Sequence, residues 1–347
     1  MIRKASAGSA STQTRYHGPE LLLPETHLDL SRDEPVLDYA HAAAMRLLDR
    51  ETSHQHVGRT VREIYGVLSE RRKNGTVEQW QGFVNRFRES RLQGVLHEDP
   101  FTARAWTKPR GYAGDAVLLD FIYGSEHQWA TPAMSWVGQR LHRWTTLSSA
   151  CEGVKARRAR IADMIDELAD HRAQPHVLSL AAGHLREAEF TRALPRRQLG
   201  RLVAIDSDAE SLEVIDRDYG RYGVEPVLAS ARDVVSGRFD FGSFDLIYSS
   251  GLLDYLGDSL VQKLTRNLFA MVRPGGRLVL TNFLEDIEGI GYMEAVMDWN
   301  LIYRDRLQLM EMTALIPQHQ IGSINIFTEE SCNVLFLILE KPYQHQA

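Results

Sequence analysis

Leu178-Ser179-Leu180-Ala181-Ala182-Gly183-His184-Leu185-Arg186-Glu187 is the stretch on which the reading of the fold turns. The apolar run Val177-Leu178-Ser179-Leu180 ends in Ala-Ala-Gly. Small residues at such a turn let a ligand approach the backbone closely. The turn is expected to open a helix whose free N–H groups face a pocket. A dinucleotide site would want G-x-G-x-x-G; here only Gly183 is glycine, which disfavours pyrophosphate binding.

Downstream, more short apolar runs follow at strand-like length. Leu202-Val203-Ala204-Ile205 ends in Asp206, Pro226-Val227-Leu228-Ala229 in Ser230, and Phe244-Asp245-Leu246-Ile247-Tyr248 in Ser249-Ser250-Gly251. Arg277-Leu278-Val279-Leu280 ends in Thr-Asn. Strands of this kind, spaced by helical stretches, predict a parallel sheet covered on both faces. Ligands then bind at the carboxyl ends of the strands. The runs near 323–327 and 333–339 predict a terminal antiparallel hairpin. A carboxylate at Asp206, with Ser207 beside it, can accept hydrogen bonds from both hydroxyls of a ribose. Asp206 could equally cap the helix beginning near Ala209. Asp233, after Arg232, could meet an adenine amino group or be an ordinary loop acid.

Upstream, from 35 to about 149, the grammar is helical. Leu37, Ala40, Ala44, Leu47 and Leu48 keep a spacing of three and four, with Ser31 and Asp33 as candidate caps. Val57, Val61, Ile64, Tyr65 and Leu68 repeat the pattern, and a third helix should start at Thr76. Lys108-Pro109-Arg110-Gly111-Tyr112-Ala113-Gly114-Asp115 then interrupts it as a shaped loop. Helices over 116–123 and 134–147 follow. Lys155, Arg157, Arg158 and Arg160 read as a solvated helix face.

The chain has 347 residues, 44% hydrophobic and 25% charged, an ordinary globular balance. A net charge of −6 leaves no basic excess to neutralise phosphates, which argues against a nucleic-acid partner. Two cysteines, Cys151 and Cys332, form neither a metal pattern nor a disulfide framework, so no metal is expected and a reducing cytoplasm is the natural setting. No apolar run reaches the ~18 residues of a membrane span.

Together these features resemble the class I methyltransferase family, which uses S-adenosylmethionine (SAM). The resemblance rests on the small-residue loop, the acid ending the second strand, the F-D-L-I strand, and Val272-Arg273-Pro274-Gly275-Gly276 before the fifth. It covers about 155–341. Ser179 stands where the family carries a first-strand acid. The resemblance implies an α/β, Rossmann-like, seven-stranded core, mostly parallel with a C-terminal antiparallel hairpin, plus an N-terminal helical domain. The expected division is a disordered or extended lead-in over 1–30, a helical cap or substrate domain over 31–154, and a SAM-binding domain over 155–347. A helical insertion is expected at about 285–315.

A narrower resemblance adds segments outside the core. The 108–115 loop, Ala182-Gly183-His184-Leu185-Arg186-Glu187 and Asp298-Trp299-Asn300-Leu301-Ile302-Tyr303-Arg304 are similar to bacterial methyltransferases of 3-hydroxypalmitate methyl ester biosynthesis. That implies methylation of a small carboxylic acid, a fatty or hydroxy acid, to its methyl ester. N-, O- or C-methylation of a specialised metabolite is the alternative, and a non-catalytic SAM-binding protein is the alternative of another class. A small-molecule acceptor is the expected partner, with homodimerisation left open.

Methyl transfer from a sulfonium is an in-line displacement, for which an enzyme supplies positioning and a dry site. A carboxylate acceptor needs no base; amines and phenols benefit from one. The expected cofactor residues are Arg110, Tyr112, Asp115, Ala182, Gly183, His184, Asp206, Ser207, Arg232, Asp233, Ser249, Ser250 and Gly251. The expected catalytic residues are His184, Asp254, Tyr303 and Arg304. Arg110 and Arg304 are candidate anion clamps, since a guanidinium holds a carboxylate through two parallel bonds. Tyr112 and Tyr303 are candidate pocket walls, and aromatic faces suit a sulfonium. Asp115 is expected to reach the amino group of SAM, compensating for Ser179.

Overall fold

The computed structural model describes residues 22–24, 28–124, 134–238 and 241–343. Most of the expected lead-in over 1–30 lies outside them. Among the described residues, eight helices precede the first strand. They are α1 (Asp33–Leu48), α2 (His54–Lys73), α3 (Val77–Arg88), α4 (Arg91–Leu96), α5 (Pro100–Thr107), α6 (Ala116–Tyr123), α7 (Trp136–Thr145) and α8 (Ser149–His171). Local chemistry sets their starts. Thr76 and Gln79 form a reciprocal capping box for α3. Asp99 caps α5, whose first turn carries Pro100. Asp115 caps α6. Neither candidate cap of α1 serves: Arg32 occupies the cap without a side-chain bond, and Asp33 lies in the first turn, paired with Arg71.

The sheet has the order β3-β2-β1-β4-β5-β7-β6. β1 (His176–Leu180), β2 (Arg201–Asp206), β3 (Val224–Leu228), β4 (Phe244–Ser249) and β5 (Val272–Phe283) are parallel. β6 (Ser323–Thr328) and β7 (Val334–Glu340) form the antiparallel hairpin, with β7 paired to β5 from Arg277↔Glu340 to Phe283↔Val334. The segment Val272-Arg273-Pro274-Gly275-Gly276, expected as a turn, runs inside β5 and appears as a register shift against β4. The chain winds outward from β1 to β3 and then returns to β4. That reversal opens a crevice at the carboxyl ends of β1 and β4.

α9 (Ala209–Tyr219), α10 (Ala231–Ser236) and α11 (Asp258–Ala270) follow β2, β3 and β4. The helix expected straight after β1 is absent. A single 3-10 turn, Arg186–Phe190, stands there instead. Leu185 is left-handed, with φ 51°, which stops a right-handed helix from starting at the loop. The expected insertion at about 285–315 carries two short helices. They are α12 (Ile290–Ala295) and α13 (Arg306–Glu311), separated at left-handed Asp298, φ 49°.

The helical layer and one face of the sheet share a single buried cluster. It includes Val36, Ile64, Phe83 and Leu118 from the helices and Val177, Tyr248, Val279 and Phe336 from the strands. The boundary expected at 154/155 falls inside α8, a 23-residue helix with Val154 and Ile161 both in that cluster. No helix among the described residues is long and apolar enough to cross a membrane.

α12 crosses α2 at backbone contact. A Cβ on Gly291 would land on the Leu68 carbonyl and the Ser69 nitrogen. Gly291→Ala should therefore lower stability by about 1–3 kcal/mol through overpacking. Gly82→Ala, on the exposed face of α3 with nothing near its Cβ, should raise it by about 0.5–1 kcal/mol. Urea midpoints of the two variants check the pair of signs.

Candidate functional site

The crevice holds a cavity of about 270 Å³. Its floor is the 181–183 loop after β1. Ala181, Gly183 and Leu185 all have positive φ, of 56°, 55° and 51°. Two of these are not glycine, and such backbone costs of order 1–2 kcal/mol per residue. The loop is held in that form from two sides. The Asp206 carboxylate accepts the Gly183 N–H at 2.8 Å and the Asp208 N–H at 2.9 Å. Burial pushes the Asp206 carboxyl above its ordinary value, against those N–H bonds. Asp206 and Ser207 line the cavity, and a carboxylate has lone pairs left for ligand hydroxyls.

The second hold comes from the helical layer. Asp120 of α6 is 2% exposed and accepts His184 Nδ1 at 2.8 Å, Arg186 Nε at 2.8 Å and Arg186 Nη2 at 2.9 Å. Burial alone would raise the Asp120 carboxyl; the Arg186 and His184 bonds outweigh it and hold it low. His184 is thereby fixed below the loop and does not line the cavity.

The walls come from segments far apart in sequence. Tyr112 and Gly114 come from the 108–115 loop, Ser250, Gly251, Asp254 and Tyr255 from the exit of β4, and Phe283, Trp299 and Leu301 from β5 and beyond. A Cβ on Gly114 would lie 2.7 Å from the Trp299 ring and overlap the Tyr255 hydroxyl. Trp299 Nε1 donates to that hydroxyl at 2.8 Å. Tyr112 meets Tyr255 edge-on at 5.9 Å between ring centres. Lys108 and Arg88 both pair with Asp298, which pins the 298–304 segment to the helices.

Asp254 is the buried acid of the β4 exit. Burial pushes its carboxyl up to about 6, against the Phe283 N–H that it accepts at 2.8 Å and the charges of Arg157 and Arg304. Arg157 of α8 lines the cavity and is 4% exposed. It belongs to the run expected to be a solvated face. Arg158 of that run is half-buried, its guanidinium 4.1 Å from the ring centres of Tyr123 and Phe190. Apolar Val154 and Ile161, seven apart, put Arg157 on the buried stripe; that spacing was the available signal.

Several expected residues stand elsewhere. Arg110 is spent on Asp208 at 2.8 Å, Glu210 and Ser211 at 3.0 Å each. Asp115 is fully buried, capping α6 and paired with Arg104 at 2.8 Å, and does not line the cavity. Arg232 is exposed on α10, and Asp233 closes a capping box with Ser230 and pairs with Arg238. Ser249 Oγ donates to the Leu180 carbonyl at 2.8 Å, tying β4 to β1. Ala182 gives its N–H to Ile205, and Ala181 takes the wall position instead. Arg304 is no anion clamp: its guanidinium is buried among Asp258, Asn282 and the Leu253 and Leu256 carbonyls. Tyr303 lines a separate polar groove of about 790 Å³ between α2, α3 and the 285–301 segment. Leu301 is common to that groove and the cavity.

The chemistry of this donor set fits SAM. Positive-φ Gly183 and Gly251 (φ 103°) border the cavity with small or absent side chains, allowing close backbone approach. Asp206 suits hydroxyls, and the Tyr112, Tyr255 and Trp299 rings suit a sulfonium.

Comparison with family models agrees with this reading. Residues 177–276 match a family model described as a methyltransferase domain. No curated protein matches the chain. A possible exported protein from Bordetella parapertussis is a structural neighbour at 17% identity and TM-score 0.49, with 92% of this chain and 99% of that one covered. The N-methyltransferase NodS from Bradyrhizobium japonicum WM9, in complex with S-adenosyl-L-homocysteine (SAH), is 16% identical over 53% of this chain and 86% of that one, TM-score 0.39. Magnesium protoporphyrin IX methyltransferase from Synechocystis PCC 6803, with bound SAM, is 8% identical over 55% and 83%, TM-score 0.39.

Asp206→Ala should weaken SAH binding by roughly tenfold to a hundredfold, the loss of charge-assisted bonds. Asp233→Ala should leave it within about twofold, because Asp233 is turned to its own helix cap. Calorimetric titration of both variants checks the contrast.

Proposed function

We propose that the chain, whose residues 177–276 match a methyltransferase domain, is a class I SAM-dependent methyltransferase that methylates the carboxylate of a small apolar acid, giving a methyl ester. When bound, SAM supplies a methyl group on a sulfonium, open to in-line attack. The observation that carries the proposal is the continuation of the cavity. Val154, Phe283 and Trp299 are shared with a narrow apolar space of about 20 Å³ behind them, among Tyr65, Phe101, Ile122, Met293 and Met297. That space takes about one methyl-sized group as it stands, and an alkyl chain would extend into it by displacing Met293 and Met297, whose side chains adapt their shape readily. Phe283, Trp299 and Leu301 give the cavity an apolar wall beside the β4 exit, and apolar surroundings favour a weak carboxylate nucleophile by stripping its hydration.

Asp254 fits such an acceptor in its neutral form. A carboxyl already raised to about 6 is raised further by an incoming carboxylate, and it can then donate a hydrogen bond to it. A fatty or hydroxy acid, as the similarity of the three outlying segments implies, is the acceptor class. Free Cys151 and Cys332 fit a reducing cytoplasm.

A second reading rests on the same residue. If the acceptor is a hydroxyl or amine, ionised Asp254 serves as the general base. The two readings differ in sign. Ester formation uses protonated Asp254, so kcat/KM should fall as pH rises through about 6. Base catalysis uses ionised Asp254, so kcat/KM should rise through the same value. Label transfer from SAM to a panel of apolar acids, phenols and amines should give base-labile product, with Asp254→Asn retaining most activity. A base-stable product, with a rising profile lost in Asp254→Asn, would displace the ester reading in favour of the second.

A further inference from the structure

We propose that Arg157 is the receptor for a carboxylate, and that this carboxylate is the one at the methionyl end of SAM. The inference rests on the reading of the cavity as a SAM site.

Arg157 sits on α8, before the sheet begins, yet its guanidinium faces the exit of β4. A Cβ built on Gly251 would lie 3.1 Å from Nη1, 3.3 Å from Nη2 and 3.5 Å from Cζ. The flat group therefore lies against the Gly251 backbone, where glycine alone leaves room. It lines the cavity while being 4% exposed. Among the described residues no carboxylate oxygen lies within 4.0 Å of it. The Tyr123 hydroxyl is its polar neighbour.

A buried guanidinium without a counter-ion is costly, and proteins retain one where an anion completes it. Two buried acids share its surroundings, and neither pairs with it. Glu187 accepts the Tyr248 hydroxyl at 2.6 Å. Asp254 accepts the Phe283 N–H. The remaining anion must be a ligand's, and the planar fork of arginine matches a carboxylate through two parallel bonds.

The polarity of the cavity selects which carboxylate. Asp206 at the β2 end suits neutral hydroxyls; Arg157 at the β4 end suits an anion. SAM has that order of groups, with ribose hydroxyls in one half and a single carboxylate at the far end of the methionyl chain. Ser179 leaves the first strand without an acid, and Asp115 is engaged by Arg104, so neither offers a charge to the amino group. The grip on the methionyl end thus rests on its carboxylate. Arg157 is a binding residue in this account and makes no or breaks no bond in the transfer.

The test compares SAH with its decarboxylated analogue, in which the carboxyl is replaced by hydrogen, by calorimetry on the full chain. The wild type should prefer SAH by roughly tenfold to a hundredfold. Arg157→Gln should bring the two affinities within about threefold by weakening SAH alone, and Arg157→Lys should keep part of the preference. The analogue doubles as a folding control. Equal weakening of both ligands in Arg157→Gln would make the residue structural and overturn the proposal. Unchanged SAH affinity would overturn it as well, leaving an acceptor carboxylate as the group held. Failure of the wild type to bind either ligand would instead overturn the SAM reading itself.

Discussion

The side chain on which the site depends is Asp120. It lies in α6, within the helical layer, and takes both His184 and Arg186 from the loop that follows β1. Three hydrogen bonds, two of them from a guanidinium, converge on one carboxylate at 2% exposure. Removing one member of such a buried group strands the others without partners. Arg186 carries the tie further, to Glu189 and Asp218. The loop therefore cannot take its left-handed form independently of the helices. A loop with one glycine is kept in shape by a neighbour, where a glycine-rich loop would hold by its own freedom.

A second set of contacts closes the same arrangement from above. Gly114 meets Trp299 and Tyr255 with no space for a side chain, and Asp298 is gripped by Lys108 and Arg88. The helices thus form part of the cavity wall as well as its cover. The shared buried cluster makes the same point in energetic terms, since neither layer can bury its apolar face alone.

Much of this was legible in the sequence. The inner strands β1, β2, β4, β5 and β7 were announced by apolar runs, because strands covered on both faces are apolar nearly throughout, whereas the edge strands β3 and β6 are more exposed and more polar. The starts of α3 and α6 followed from Thr76 and from the loop ending in Asp115. Tyr112, Gly183, Asp206, Ser207, Ser250, Gly251 and Asp254 lie together on one cavity. What the sequence hid is mainly the partners of charged residues. Arg110, Asp115, Asp233 and Arg304 look free on the page, and each is satisfied in the fold by a group that no spacing rule announces. Asp120 and Arg157 are the reverse case: ordinary charges in helical stretches that the fold turns inward. The absent helix after β1 also had no local sign, since Leu185 is left-handed only because the residues around it are held.

The central claim is that the helical layer and the sheet ends bind the cofactor jointly. Hydrogen–deuterium exchange with and without SAH tests it most directly. The account predicts slower exchange on binding in 110–119 and 298–304 as well as in 178–187 and 249–256. Slowing confined to the two sheet-end segments, with the helical loop and the 298–304 segment unchanged, would contradict it.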